Sequence, residues 1–187
     1  MKFRKLSLPG AFEICSTVVT DERGFFARTY CQKSFSKIGL NAVWPQANIS
    51  ETKKKATVRG LHIQRAPYGE IKLVRCVAGQ AFDVVLDLRE SSPTYGRHEA
   101  VRLDASLQNA VYIPEGCAHG FQALLDNTVI NYMVSQPYTP EYEDGVHPLD
   151  PDLNVQWPLP PNLISKKDQS LRGLKAFEPF ITAQHQV

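Results

Sequence analysis

At 187 residues the chain is long enough for one substantial hydrophobic core and short for two. A hydrophobic content of 43% and a charged content of 21% are ordinary for a globular protein, while a net charge of only +2 argues against a nucleic-acid binder that works by bulk positive charge. Pro9 and Glu13 interrupt any long apolar run near the start, so neither a signal peptide nor a membrane span is expected and the predicted location is the cytoplasm.

Early in the chain, Cys15 and Cys31 stand far from each other and from Cys76 and Cys117, with no C-x-x-C pair. That spacing argues against a zinc cluster or thioredoxin-type chemistry, and the four read as small buried hydrophobes in a reducing compartment. Asp21-Glu22-Arg23-Gly24-Phe25-Phe26 places a charged turn before an aromatic strand and reads as a solvated hairpin. A short helix is predicted over 32–38, ended by Gly39. From about residue 11 to 136 the chain otherwise reads as many short strands separated by turn residues.

Residues 58–64, Val-Arg-Gly-Leu-His-Ile-Gln, set Arg59, Gly60 and His62 in an apolar strand context, and Lys72 follows inside Ile71-Lys72-Leu73-Val74-Arg75. Arginine and lysine suit phosphate or an oxyanion, and histidine moves protons near neutral pH. Taken alone, His62 is either a hydrogen-bonded structural histidine or a base. On a straight strand Arg59 and His62 would face opposite sides, so a bulge at Gly60 is predicted to bring them together.

Phe82, Val84, Leu86 and Leu88 alternate with Asp83, Val85, Asp87 and Arg89, the period-two signal of a strand with unlike faces. Pro114-Glu115-Gly116 makes a turn that delivers His119 to the start of the next strand, as a cap or as part of a site. Thr128 to Met133 forms a further strand carrying Tyr132, whose hydroxyl either finds a core partner or donates a proton; Tyr138 follows and offers a flat face. After Trp157 the Pro158-Leu159-Pro160-Pro161 run opens a C-terminal extension with short helices. The expectation is a single all-β domain over 1–187, a closed two-sheet barrel with a partly polar interior rather than a dry sandwich.

The G-L-H-x-Q segment and the later P-x-G-x-x-H-G-F segment resemble the two halves of a cupin motif. With residues 21–26, 46–50, 72–75, 83–89, 92–96, 138–145, Trp157-Pro158 and 165–168, they resemble the dTDP-4-dehydrorhamnose 3,5-epimerase family, in order along nearly the whole chain. The resemblance implies a double-stranded β-helix (jelly-roll, cupin) fold, a homodimer, and no metal or organic cofactor. It implies a nucleotide diphosphate sugar substrate, a 4-keto-6-deoxyhexose inverted at C3 and C5 through an enolate. By the same resemblance His62 is the general base supported by Asp168, Tyr132 the general acid, and Lys72 the cation at the enolate oxygen. Arg23, Gln46, Asn48, Arg59, His119, Glu143 and Lys167 would line the site, and Tyr138 would stack on the nucleobase.

Three departures bear on specificity: Arg28 stands where the family usually has glutamate, Glu70 where glutamine is more frequent, and His147-Pro148-Leu149-Asp150 where a tryptophan-containing segment is usual. They leave open which nucleotide and sugar are used and whether one or two centres are inverted. The alternatives are an epimerase acting at C3 only or on another keto-sugar, a metal-dependent cupin oxygenase with His62, Glu70 and His119 as ligands, and a non-catalytic binding module. Against the oxygenase, Gln64 stands where a second histidine would be wanted and Lys72 would sit beside the cation.

Overall fold

A computed structural model describes residues 1–181, so the last six residues of the expected single unit lie outside it. The strands are β1 (Lys2–Lys5), β2 (Phe12–Cys15), β3 (Val18–Asp21), β4 (Gly24–Ala27), β5 (Gln46–Thr52), β6 (Thr57–Gln64) and β7 (Lys72–Ala78). They continue as β8 (Gln80–Asp87), β9 (His98–Asp104), β10 (Asn109–Ile113), β11 (Cys117–Ala123), β12 (Thr128–Val134), β13 (Glu143–Gly145) and β14 (Leu163–Ile164). Two short helices, α1 (Gln32–Ser36) and α2 (Lys166–Gln169), complete the described α-structure. The first strand starts before residue 11, earlier than the sequence pattern suggests: only four residues long, it alternates too briefly to register.

One sheet runs β1-β2-β10-β7-β12-β5, and the other β13-β6-β11-β8-β9 with β14 added parallel to β6. Val74, Val111 and Ile130 of the first share a buried cluster with Val85, Leu103 and Phe121 of the second, so the sheets face each other. The predicted helix ends at Ser36, two residues earlier than expected, and a turn then closes at Gly39, which takes a positive φ, with the Gly39 and Leu40 amides donating to the carbonyls of Ser36 and Phe35. Phe35 anchors the helix on the outer face of the first sheet beside Leu73 and Tyr112.

The unlike faces of β8 are both buried. Val84, Leu86 and Leu88 point outwards, under a cover supplied by Leu153, Phe177 and Phe180 of the C-terminal extension. The polar face, with Asp83 and Asp87, is equally inaccessible. The extension therefore forms a third layer, and its helix α2 carries Asp168 against β6. Among the cysteines, Cys76 and Cys117 are buried as expected, and burial pushes their thiols up to about 11 and about 12. Cys15 is exposed, against the expectation, because it closes a strand at the rim of its sheet.

Asp87 organises the turn after β8: its carboxylate accepts from Arg89 Nη2 at 2.7 Å, Ser92 Oγ at 2.5 Å and Thr94 Oγ1 at 2.6 Å. Burial pushes this carboxyl up, but those donors outweigh it and hold the pKa at about 2. The folded-state value lies below the unfolded one, so the contribution is present above about pH 4 and disappears as pH falls through about 2. Asp87→Asn should lower unfolding free energy by about 2 kcal/mol at pH 7 and lose that penalty at acid pH, read by denaturant titration at both.

Candidate active site

Strand β6 builds the centre of the site through a break in its own alternation. His62 pairs with His119 and Arg59 with Phe121, so three steps along β6 match two along β11. That register shift is the predicted bulge. It sends Leu61 and Ile63 outwards to the covering layer while Arg59 and His62 both face the interior. Gly60 adopts φ +114, and a Cβ there would meet the Gly120 Cα at 2.5 Å, so only glycine fits.

The bulge also frees the Gly60 amide, which donates to Asp168 Oδ2 at 3.2 Å. The other oxygen of Asp168 lies 2.7 Å from His62 Nε2. Asp168 reaches this position because Ser165 caps α2, accepting the Asp168 amide at 3.0 Å. Burial pushes the Asp168 carboxyl up, but the His62 and Gly60 donors prevail and hold it below the usual carboxylate range. An ionised Asp168 accepts a hydrogen bond from the Nε2–H and orients the ring, leaving Nδ1 without a protein partner among the described residues. Beside it lies a second pair: His119 Nε2 is 2.7 Å from Asp83 Oδ2, with Asp83 fully buried.

The facing sheet supplies the opposite wall. Lys72 on β7 and Tyr132 on β12 belong to neighbouring strands, and Lys72 pairs with Val134, two residues from the tyrosine on the same face. The Lys72 ammonium is 3.1 Å from Glu70 Oε1 and donates to the His62 carbonyl at 3.4 Å. Burial pushes the Tyr132 phenol up, and the carboxylates of Glu70 and Glu143 add to this, so it holds its proton at neutral pH.

His62, Lys72 and Tyr132 sit where two lobes of one cavity meet. One lobe, of about 320 Å³, is lined also by Gln46, Asn48, Gln64, Glu70, Tyr138 and Glu143. The other, of about 460 Å³, is lined by Arg59, His119, Phe121, Lys167 and Asp168 among others. Arg59 is held by Thr52 Oγ1 at 3.0 Å and the Glu51 carbonyl at 2.9 Å, and none of its bonds is to a carboxylate among the described residues. Its charge is left for an anion. Lys167 bridges to Glu143 at 2.5 Å, and the Tyr138 hydroxyl donates to the same carboxylate, which pushes the phenol up to about 12.

Every residue assigned a catalytic or substrate-binding role from the sequence therefore lines this cavity except Arg23, and of the departures that bear on specificity Glu70 lines it while the exposed Arg28 and residues 147–150 do not. Arg23 lies in the exposed β3–β4 hairpin, paired with Asp21 at 2.5 Å. Asp83 was legible only as a strand residue; its position two residues from Val85, the partner of His119, follows from register and not from any local motif. The arrangement does not suit the oxygenase reading: no three His, Cys, Asp or Glu side chains converge among the described residues, and Glu70 faces an ammonium.

Comparison with known proteins gives a consistent result. The family model described as dTDP-4-dehydrorhamnose 3,5-epimerase matches residues 5–176. A dTDP-4-dehydrorhamnose 3,5-epimerase from Methanothermobacter thermautotrophicus is 43% identical over 178 residues, 93% of this chain and 95% of that protein. A dTDP-4-dehydrorhamnose 3-epimerase from Streptomyces niveus is 44% identical over 170 residues, 90% of this chain and 82% of that one. Among solved structures, a 4-keto-6-deoxy sugar epimerase from the novobiocin biosynthetic gene cluster of Streptomyces spheroides superimposes with a TM-score of 0.90 at 43% identity, covering 94% of this chain and 88% of that one. The jelly-roll cupin architecture expected from the sequence is thereby established.

Proposed function

This chain belongs to the dTDP-4-dehydrorhamnose 3,5-epimerase family, as an isomerase of dTDP-linked keto-sugars, and on that premise we propose that it inverts both C3 and C5 of a dTDP-4-dehydro-6-deoxyglucose-type substrate. The observation that carries the reading is the meeting of His62, from one sheet, with Tyr132 and Lys72, from the other, in a single cavity.

The C4 carbonyl acidifies the hydrogens at C3 and C5, since either carbanion delocalises into an enolate. His62 removes the proton with its unpartnered nitrogen, and Asp168 stabilises the imidazolium that results. Lys72 compensates the enolate oxygen. Tyr132 returns a proton from the opposite wall, which inverts the centre. His119, held by Asp83, is available to the sugar from beside the base. Arg59 and Lys167, with the amides of Gln46 and Asn48, suit the diphosphate. Tyr138, half exposed at the mouth, suits a base stacked on its ring.

The hairpin supports a homodimer. Val19, Phe25 and Phe26 are each at least 60% exposed, and an isolated two-stranded ribbon needs cover to be stable. A second copy seated there would bury these side chains and bring Arg23 towards a neighbouring site.

Inversion at C3 alone is favoured by a different observation, the 44% identity to the Streptomyces niveus 3-epimerase. Incubating dTDP-4-dehydro-6-deoxyglucose with the protein in deuterated water separates the two by NMR. Deuterium at both carbons is expected; label at C3 only rejects double inversion, and no label rejects the epimerase reading of this substrate. The same experiment on other nucleotide 4-keto-sugars measures which nucleotide and sugar the site selects.

A further inference from the structure

Gln64 ends β6 on the inner face, 1% exposed, and lines the lobe that holds Tyr138. Its carboxamide is fully used. Nε2 donates to the Tyr68 carbonyl at 3.0 Å and to the Pro137 carbonyl at 3.3 Å, while Oε1 accepts the Thr139 amide at 2.6 Å. The intervening Tyr138 amide donates to Gln46 Oε1 at 3.1 Å. The backbone on both sides of Tyr138 is thus fixed to one buried side chain, and its own amide to a half-buried one.

We propose that Gln64 is a positioning residue that acts through Tyr138, setting the ring at the height and tilt that receive the nucleobase. This rests on the reading of Tyr138 as the nucleobase platform. The chemistry calls for glutamine specifically. Two carbonyls and one amide must be met together, which takes two donors and one acceptor from a single neutral group. An imidazole has only two nitrogens, so a histidine here, as in a metal-binding cupin, would leave one partner empty. A glutamate would turn its oxygens on the Tyr68 and Pro137 carbonyls. The loop around Tyr138 is itself exposed, so each bond lost removes an anchor to the buried Gln64 and leaves the loop free to move.

The test measures thymidine diphosphate affinity by calorimetry, with steady-state kinetics, for wild type, Gln64→Leu, Tyr138→Ala and the double variant. Gln64→Leu should weaken thymidine diphosphate and raise KM by about tenfold, with kcat within about twofold, and the double variant should bind no worse than Tyr138→Ala alone. Unchanged affinity in Gln64→Leu beside a loss in Tyr138→Ala overturns the proposal, as do additive losses or a fall confined to kcat. Full affinity in Tyr138→Ala removes the platform itself, and the role of Gln64 with it. If Gln64→Leu does not fold, amide exchange in the wild type decides: the Thr139 amide should exchange slowly, and exchange as fast as an open loop refutes the positioning.

Discussion

His62→Ala is expected to lower turnover by about 10²- to 10⁴-fold while thymidine diphosphate affinity stays close to that of wild type. The imidazole has a ring nitrogen without a partner among the described residues and the Asp168 carboxylate behind it, and it lines both lobes, whereas His119, paired with Asp83, lines only the larger one. Asp168 cannot substitute, because it is 3% exposed and held below the usual carboxylate range, a poor acceptor set behind the ring. The nucleotide contacts proposed for Arg59, Tyr138 and Lys167 do not pass through His62, so binding and chemistry should separate. Solvent deuterium should fail to enter the sugar at either carbon. Turnover within a few-fold of wild type would remove the catalytic assignment and leave a binding module.

Lys72→Met should cost about 10²- to 10³-fold in kcat, the range for removing one donor from a developing oxyanion. It should also destabilise the fold, for a reason specific to this chain. Glu70 and Lys72 have side chains 9% and 10% exposed and face each other at 3.1 Å. Removing the ammonium strands a buried carboxylate, which costs about 3 kcal/mol. Lys72→Met with Glu70→Gln removes the stranded charge, so the melting temperature should recover while turnover does not. Recovery of both would mean that the single variant failed through misfolding; loss of neither would mean that the ammonium does not meet the reaction.

The strands, the short helix and its glycine stop were legible because each rests on local pattern: alternation, turn residues and a positive-φ glycine. The bulge at Gly60 was legible for a better reason, since two polar residues three positions apart both needed the same face. The polar side of β8 was harder. Alternation distinguishes two faces but does not say which is inside, and here both are covered, one by the other sheet and one by residues more than sixty positions away. The Asp83–His119 pair and the clasp of Gln64 on the loop around Tyr138 depend on register between distant strands and loops, so no short motif announces them. The exposed hairpin was read correctly as solvated, but its aromatic side chains gave no sign in sequence of how little of the rest of the chain would cover them.

The surplus residue in β6 has a consequence for anyone transplanting this chemistry. An unbroken strand on another scaffold could display an arginine and a histidine two positions apart, and would look equivalent in an overlay of side chains. It would have no spare main-chain N–H, because in a regular ladder between two neighbours every N–H points sideways to a partner strand. The grafted carboxylate would lose a donor, take up a proton more readily, and let the ring beside it swing. A copy faithful in side chains alone would be a slower enzyme.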